Sequence, residues 1–209
     1  MESNYEKQVY IARELFLGYD QQPLIEKFDL KWDEKFLYTE FLRVSYRIDR
    51  KTGEIQEEKE GEETGWEPCL DYNVVMTIYD MLCHSEERPR LSGEWTTLAN
   101  LQVTGSSPSP DRFTAVTAKK LEGQPEKLRQ VLERLGGIRQ SVPASADACY
   151  EIPLFPFFPV LFQFWDGDEE FPPKITILWD KNSLQFMHFE TLYYAMNHLL
   201  ERIKHLMEL

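Results

Sequence analysis

Four carboxylates fall within five positions of the block Trp165-Asp166-Gly167-Asp168-Glu169-Glu170-Phe171-Pro172-Pro173. Clustered oxygens of this kind can hold a hard cation such as calcium or magnesium. They can also set up an acid–base pair with separated pKa values. The block is not an EF-hand: that loop needs Gly at its sixth position and Glu at its twelfth, where this chain has Phe171 and Ile177. Its plainer reading, and the one favoured, is an acidic turn held in water between two apolar runs, because charge runs usually face solvent. Further along, His188 and Glu190 stand close in sequence to Asp180, and carboxylates there could orient the imidazole. Glu190 is equally well explained as a first-turn acid facing a helix dipole. The candidate site residues are therefore Asp166, Asp168, Glu169, Glu170, Asp180 and His188. No catalytic role, cofactor or metal-ligand set is read from their spacing.

Other chemical pairings are weaker. Cys83-His84 suggests a thiolate–imidazole couple, but neighbours on a helix point about 100° apart, so a buried cysteine beside a surface histidine is the better reading. His198 and His205, seven apart and without a third ligand, are a weak metal signal. No nucleophile elbow, phosphate loop, dinucleotide fingerprint or HExxH motif is present. The prolines of Pro153-Leu154-Phe155-Pro156-Phe157-Phe158-Pro159 could form a polyproline ligand. Their neighbours are too apolar to leave exposed, and a buried extended run leading into a sheet is favoured.

Composition bounds the class. Over 209 residues, 42% are hydrophobic and 13% aromatic, enough apolar surface to offset the entropy of ordering. Residues 152–165 are too short for a membrane span, which needs about 20 apolar residues, and three prolines interrupt them. A formal charge of −13 repels phosphate backbones, and no basic patch counters it, so nucleic acid is not an expected partner. Three widely spaced cysteines form no disulfide framework or CxxC pair, and with no secretory leader pattern they fit a reducing cytoplasm.

The elements that must position these residues follow from periodicity. Tyr5, Val9, Ala12 and Phe16 make one face of an opening helix. A second turn of helix is expected over 23–28. Alternation over 36–48 predicts strand, with a turn at Asp49-Arg50-Lys51-Thr52-Gly53 and a returning arm over 54–56. Residues 54–67, with seven glutamates and one lysine, have the composition of a mobile acidic loop, and 104–110 that of a linker ending in a helix cap at Ser109 and Pro110. Helical spacing returns over 70–83 and again over 125–135. Strands are expected over 157–165, 174–179 and 183–188, the last two joined by a hairpin turn at 180–183, before a closing helix from Phe189. The fold expected is one α+β domain over 1–209: an antiparallel sheet, with an N-terminal hairpin and a C-terminal three-strand meander, packed with amphipathic helices including long terminal ones.

The order of blocks in the second half carries a resemblance. Leu-Ser-Gly-Glu-Trp-Thr-Thr-Leu (91–98), Leu-Gly-Gly (135–137), Ala-Asp-Ala (146–148), Ile-Pro (152–153), Trp-Asp-Gly-Asp-Glu-Glu-Phe-Pro (165–172), Ile-Leu-Trp-Asp (177–180) and Phe-Glu-Thr-Leu (189–192) together resemble the prokaryotic family known as domain of unknown function 3786. The family has no established activity. Some members begin with a four-cysteine iron–sulfur segment, and this chain has no such cysteine cluster. The resemblance implies one cytoplasmic α+β domain, accessory to redox or cofactor metabolism.

Three functions stay open on these residues. The leading one is a non-catalytic binding or accessory module for a small molecule or protein. A hydrolase-like or cation-dependent enzyme using the acidic loop near Asp180 or His188 is the rival. A homo-oligomeric structural protein is the third, favoured if Phe155, Phe157 and Phe158 are exposed. The cysteine spacing generates a first prediction: all three thiols are free. Titration in denaturant without reductant should count three, and a count of one would contradict the reading.

Overall fold

The computed structural model describes residues 4–59, 65–101, 111–143 and 145–209. Contacts group the chain into two compact units, Met1–Arg90 with Leu184–Ala195, and Leu91–Ser183 with Met196–Leu209. The fold class is α+β, as the sequence predicts: helices accompany two wholly antiparallel five-stranded sheets.

The first unit opens with α1 (Asn4–Gly18), whose Phe16 is fully buried and which packs on α3 (Tyr72–His84). The Asp20 carboxylate accepts the Gln22 amide at 3.1 Å and so caps α2 (Gln21–Phe28), which buries Leu24, Ile25 and Phe28. Asp71 caps α3 in the same way, through the Asn73 amide at 2.8 Å. Between these helices lies a meander in sequence order: β1 (Lys31–Trp32), β2 (Phe36–Phe41), β3 (Val44–Asp49), β4 (Ile55–Glu58) and β5 (Trp66–Pro68). The expected turn after Asp49 is present. Its carboxylate accepts the amides of Lys51 and Thr52, and Gly53 takes a positive φ of 73° where an added Cβ would meet the Arg13 side chain.

Two expectations need correction here. The run 36–48 is two strands, because Leu42 and Arg43 form a two-residue turn with φ of 50° and 65°. Residues 55–58 and 66–68 are paired strands rather than loop. Ile55 is buried opposite Ile48, while the Arg47 guanidinium lies 4.0 Å from the Phe36 ring centroid and 4.6 Å from that of Trp66. Aromatic packing and cation–π attraction thus organise a segment whose charge alone suggested a solvated loop. Residues 60–64 of that segment, and the whole of the expected linker 104–110, lie outside the described residues.

The second unit contains β6 (Trp95–Thr96), α4 (Leu98–Leu101), α5 (Asp111–Leu121), α6 (Pro125–Arg134), β7 (Ile138–Arg139), β8 (Ala148–Phe155), β9 (Phe158–Trp165) and β10 (Lys174–Asp180). Its sheet runs β6-β10-β9-β8-β7, with α5 against β10 and α6 against β8. The central strand β9 is buried at every position but Pro159 and Trp165, as a strand covered on both faces requires. The proline run is the β8–β9 hairpin, with Pro153 opposite Pro159 beside an irregularity in register. Of the three phenylalanines whose exposure would favour a structural oligomer, Phe155 and Phe158 are fully buried and Phe157 is half-buried.

The strand expected over 183–188 is not formed. Ser183–Gln185 is a short 3-10 turn, followed by α7 (Phe189–Met207), whose residues are shared between the units. The cause is local. The Asp180 carboxylate accepts the Asn182 amide, and the Ser183 hydroxyl donates to the Asp180 carbonyl, which curls the chain where a hairpin would extend it. The meander is instead β8–β9–β10. All three cysteines are free and buried. Among the described residues no helix is long and apolar enough to cross a membrane.

The Leu42–Arg43 turn generates a stability prediction. A left-handed conformation costs a residue with a Cβ about 1–2 kcal/mol, against roughly 0.5–1 kcal/mol for the extra chain entropy of glycine. Leu42 is fully buried and must stay, whereas Arg43 among the described residues has only an exposed pairing with Glu40. Arg43→Gly should therefore raise unfolding stability by roughly 0.5–1 kcal/mol, read as a higher urea midpoint at unchanged slope. A lower midpoint would contradict the strained turn.

Candidate functional site

In the first unit, Asp80 and His84 sit one turn apart near the end of α3, so their side chains share a face. Asp80 is 8% exposed, and a buried carboxylate must find donors. The donors come from His188, just before α7: its backbone N–H donates to Oδ2 at 2.7 Å, and its Nδ1 lies 2.7 Å from Oδ1. His84 Nε2 stands 4.0 Å from that same Oδ1, and the two imidazole rings tilt together with centroids 4.4 Å apart. The ligand atoms of all three residues lie within 4.8 Å of one another. Burial lowers the His84 pKa; Asp80 opposes that shift and the neighbouring His188 adds to it. Next to His84, Cys83 is buried with its thiol pushed up to about 12, mainly by desolvation, which makes it inert as a nucleophile. Lys27 closes the end of α3 by donating to the Ser85 carbonyl at 3.1 Å and to its hydroxyl at 3.0 Å.

In the second unit, a cavity of about 720 Å³ is lined by Trp165, Phe171, Pro172, Pro173, Lys174 and Ile175, by the carboxylates Asp147, Asp166 and Asp168, and by Thr114, Ala115 and Ser145. The loop that shapes it is held by its own acids. Asp147 accepts the Asp166 amide at 2.7 Å; Asp166 Oδ1 accepts the amides of Gly123 and Gly167, both at 2.9 Å; Asp168 Oδ1 accepts those of Glu170 at 2.8 Å and Phe171 at 2.7 Å. Gly167 is required because a Cβ there would come within 2.9 Å of the Pro173 ring. Glu169 and Glu170 are exposed and do not line the cavity.

Of the residues singled out by sequence, Asp166 and Asp168 come together in this cavity. His188 joins a different cluster in the other unit. Asp180, 2% exposed, accepts the Ser92 amide at 2.9 Å, the Ser92 hydroxyl at 3.0 Å, the Gly93 amide at 2.8 Å and the Asn182 amide at 2.8 Å. It holds the strand β10 to the turn before β6. Sequence reasoning missed Asp80 and Asp147. Asp80 had a signal in the Asp-x-x-x-His spacing along an expected helix; Asp147, a lone acid among small residues, had none.

An α+β protein with two antiparallel sheets, an acid-framed cavity and a His–Asp–His cluster is the class that these features define. The chain belongs to the family described as domain of unknown function (DUF3786), whose family model matches residues 20–202. No curated protein and no solved structure matches the chain.

Asp180 generates a pH prediction. Burial alone would raise its pKa, but the amides of Ser92, Asn182 and Gly93 with the Ser92 hydroxyl outweigh it and hold the carboxyl below its ordinary value. A folded pKa below the unfolded one contributes stability above about pH 4, lost as pH falls toward the folded value. Asp180→Asn should cost about 1–3 kcal/mol near pH 7, and the difference from the parent should shrink as pH drops below about 4. Denaturant midpoints across pH 2.5–7, a span of roughly 1.5 units on the acid side of the ~3.9 reference, measure it. A pH-independent difference would remove the ionised carboxylate from the account.

Proposed function

We propose that this chain is a non-catalytic binding module that takes a small organic cation with an apolar body in the cavity of its second unit. One observation carries the reading: the cavity brings aromatic walls, Trp165 and Phe171, together with three carboxylates, Asp147, Asp166 and Asp168. An aromatic face attracts a cation through its quadrupole, and carboxylates add long-range attraction that a neutral compound does not receive. Lys174 already places its ammonium 5.9 Å from the Trp165 ring centroid. It is exposed, and so free to yield that position to a ligand. Against three carboxylates it leaves the cavity anionic. Its volume lies in the range typical of small-molecule sites.

Binding is favoured over catalysis because each carboxylate is held in place through one oxygen by backbone amides, and no histidine or cysteine that could work with it as an acid–base partner is among the described residues lining the cavity. The module works in a reducing cytoplasm, which the three free thiols support. An accessory role in redox or cofactor metabolism is what the family resemblance suggests for it.

Choline and its neutral isostere 3,3-dimethylbutanol test the reading as probes. Choline should shift the Trp165 indole resonance, and the alcohol should bind at least about tenfold more weakly, as loss of a desolvated cation–π contact of about 1.4 kcal/mol would give. Trp165→Ala and Asp168→Asn should each weaken choline. Equal binding of the two probes, or no response at Trp165, would overturn the proposal.

A further inference from the structure

We infer that Asp80, His84 and His188 form a binding site for a divalent transition-metal ion, separate from the cavity of the second unit. The donor set is two imidazoles and one carboxylate, a combination that suits zinc, cobalt, nickel, iron(II) or copper better than calcium or magnesium, which prefer all-oxygen shells. The arrangement is built rather than accidental. Asp80 is buried, and its Oδ2 is fixed by the His188 amide, so Oδ1 is held toward the two rings. The histidine side chains are 58% and 38% exposed, which leaves the ion a path from solvent and open positions for water or a further ligand.

Distances fit with small adjustments. Two ligands about 2.1 Å from one ion stand about 3.0–3.4 Å apart at octahedral to tetrahedral angles. The 2.7 Å separation of Asp80 Oδ1 and His188 Nδ1 must open by a few tenths of an ångström. The 4.0 Å separation of Asp80 Oδ1 and His84 Nε2 must close by somewhat more. The second change is a rotation of a part-exposed side chain on a rigid helix. Each ring ligates as neutral imidazole: His84 through Nε2 with its proton on Nδ1, and His188 through Nδ1 with its proton moved to Nε2. No redox step is involved. The carboxylate supplies one negative charge to the ion, and the helix C-terminus beneath it adds a favourable dipole.

The test uses the intact chain, stripped with chelator and titrated with zinc and cobalt(II). We expect one equivalent of either metal to bind, with magnesium unable to compete, and cobalt(II) to give the visible bands of a nitrogen–oxygen site. His84→Ala and His188→Ala should each weaken binding at least about tenfold, since even the outer-shell partners of a metal ligand are worth that much, while His205→Ala changes nothing. Because replacing His188 removes a partner of a buried acid, melting curves accompany each variant. A measurement on the unaltered protein stands beside them: cobalt(II) should broaden the imidazole resonances of His84 and His188 and spare that of His205. Absence of binding, equal weakening in all three variants, or broadening at His205 instead would overturn the site. None of these results bears on choline in the other unit, so the two proposals fail independently.

Discussion

A carboxylate withdrawn from water must be met by donors, and this constraint recurs at the points that tie distant parts of the chain together. Asp80 is 8% exposed and Asp180 2% exposed. Asp180 is answered by three backbone amides and a hydroxyl, and Asp80 by one backbone amide and an imidazole, rather than by lysine or arginine. Asp80 fixes the residue before α7 against α3 across 108 positions of sequence, and Asp180 fixes the turn at Ser92-Gly93 against β10 across 88. A buried carboxylate left without such partners costs several kcal/mol, so these contacts admit little slack. Hydrophobic burial gives each unit its core; the two acids decide which loops lie beside which elements.

The same device appears at the surface in the block that the sequence makes most conspicuous. Asp168 accepts amides two and three residues on, while Asp147 and Asp166 accept amides 19 and 43 positions away, and together they turn an acidic run into a shaped loop. An excess of 13 negative charges is thus not only a solvated coat. Part of it serves as backbone acceptors that lysine-rich sequences would lack.

The legibility of the fold follows the locality of its causes. Helices α2, α3 and α6 and the Asp49 turn were readable because capping acids, prolines and helical periodicity act within a few residues. The Leu42–Arg43 turn was not, since nothing in those side chains favours a left-handed backbone; it is imposed by pairing of β2 with β3 and by burial of Leu42. The glutamate-rich hairpin was hidden because its anchors, Phe36 and Trp66, meet over Arg47 from separate strands. At the candidate sites the same rule holds. Asp166 and Asp168 share a loop and were visible, whereas the partner of His188 is 108 residues away.

What separates a structural acid from a functional one in this protein is the bonding capacity that remains after the backbone is satisfied. Asp180 receives four hydrogen bonds, three at Oδ1 and one at Oδ2, and at 2% exposure it has no open face toward a ligand. Asp166 and Asp168 each commit Oδ1 to two amides, and among the described residues Oδ2 of neither has an amide partner. Asp80 commits Oδ2 to an amide and shares Oδ1 with imidazole groups, which themselves have nitrogen lone pairs to offer. A cation gains most where an anchored acid retains an unfilled acceptor, because the acid is already held in place and pays no further ordering cost on binding. By that measure anchored acids with acceptor capacity to spare stand in the loop cavity and in the His–Asp–His cluster, where the two proposals place a cation, and Asp180 is not one of them.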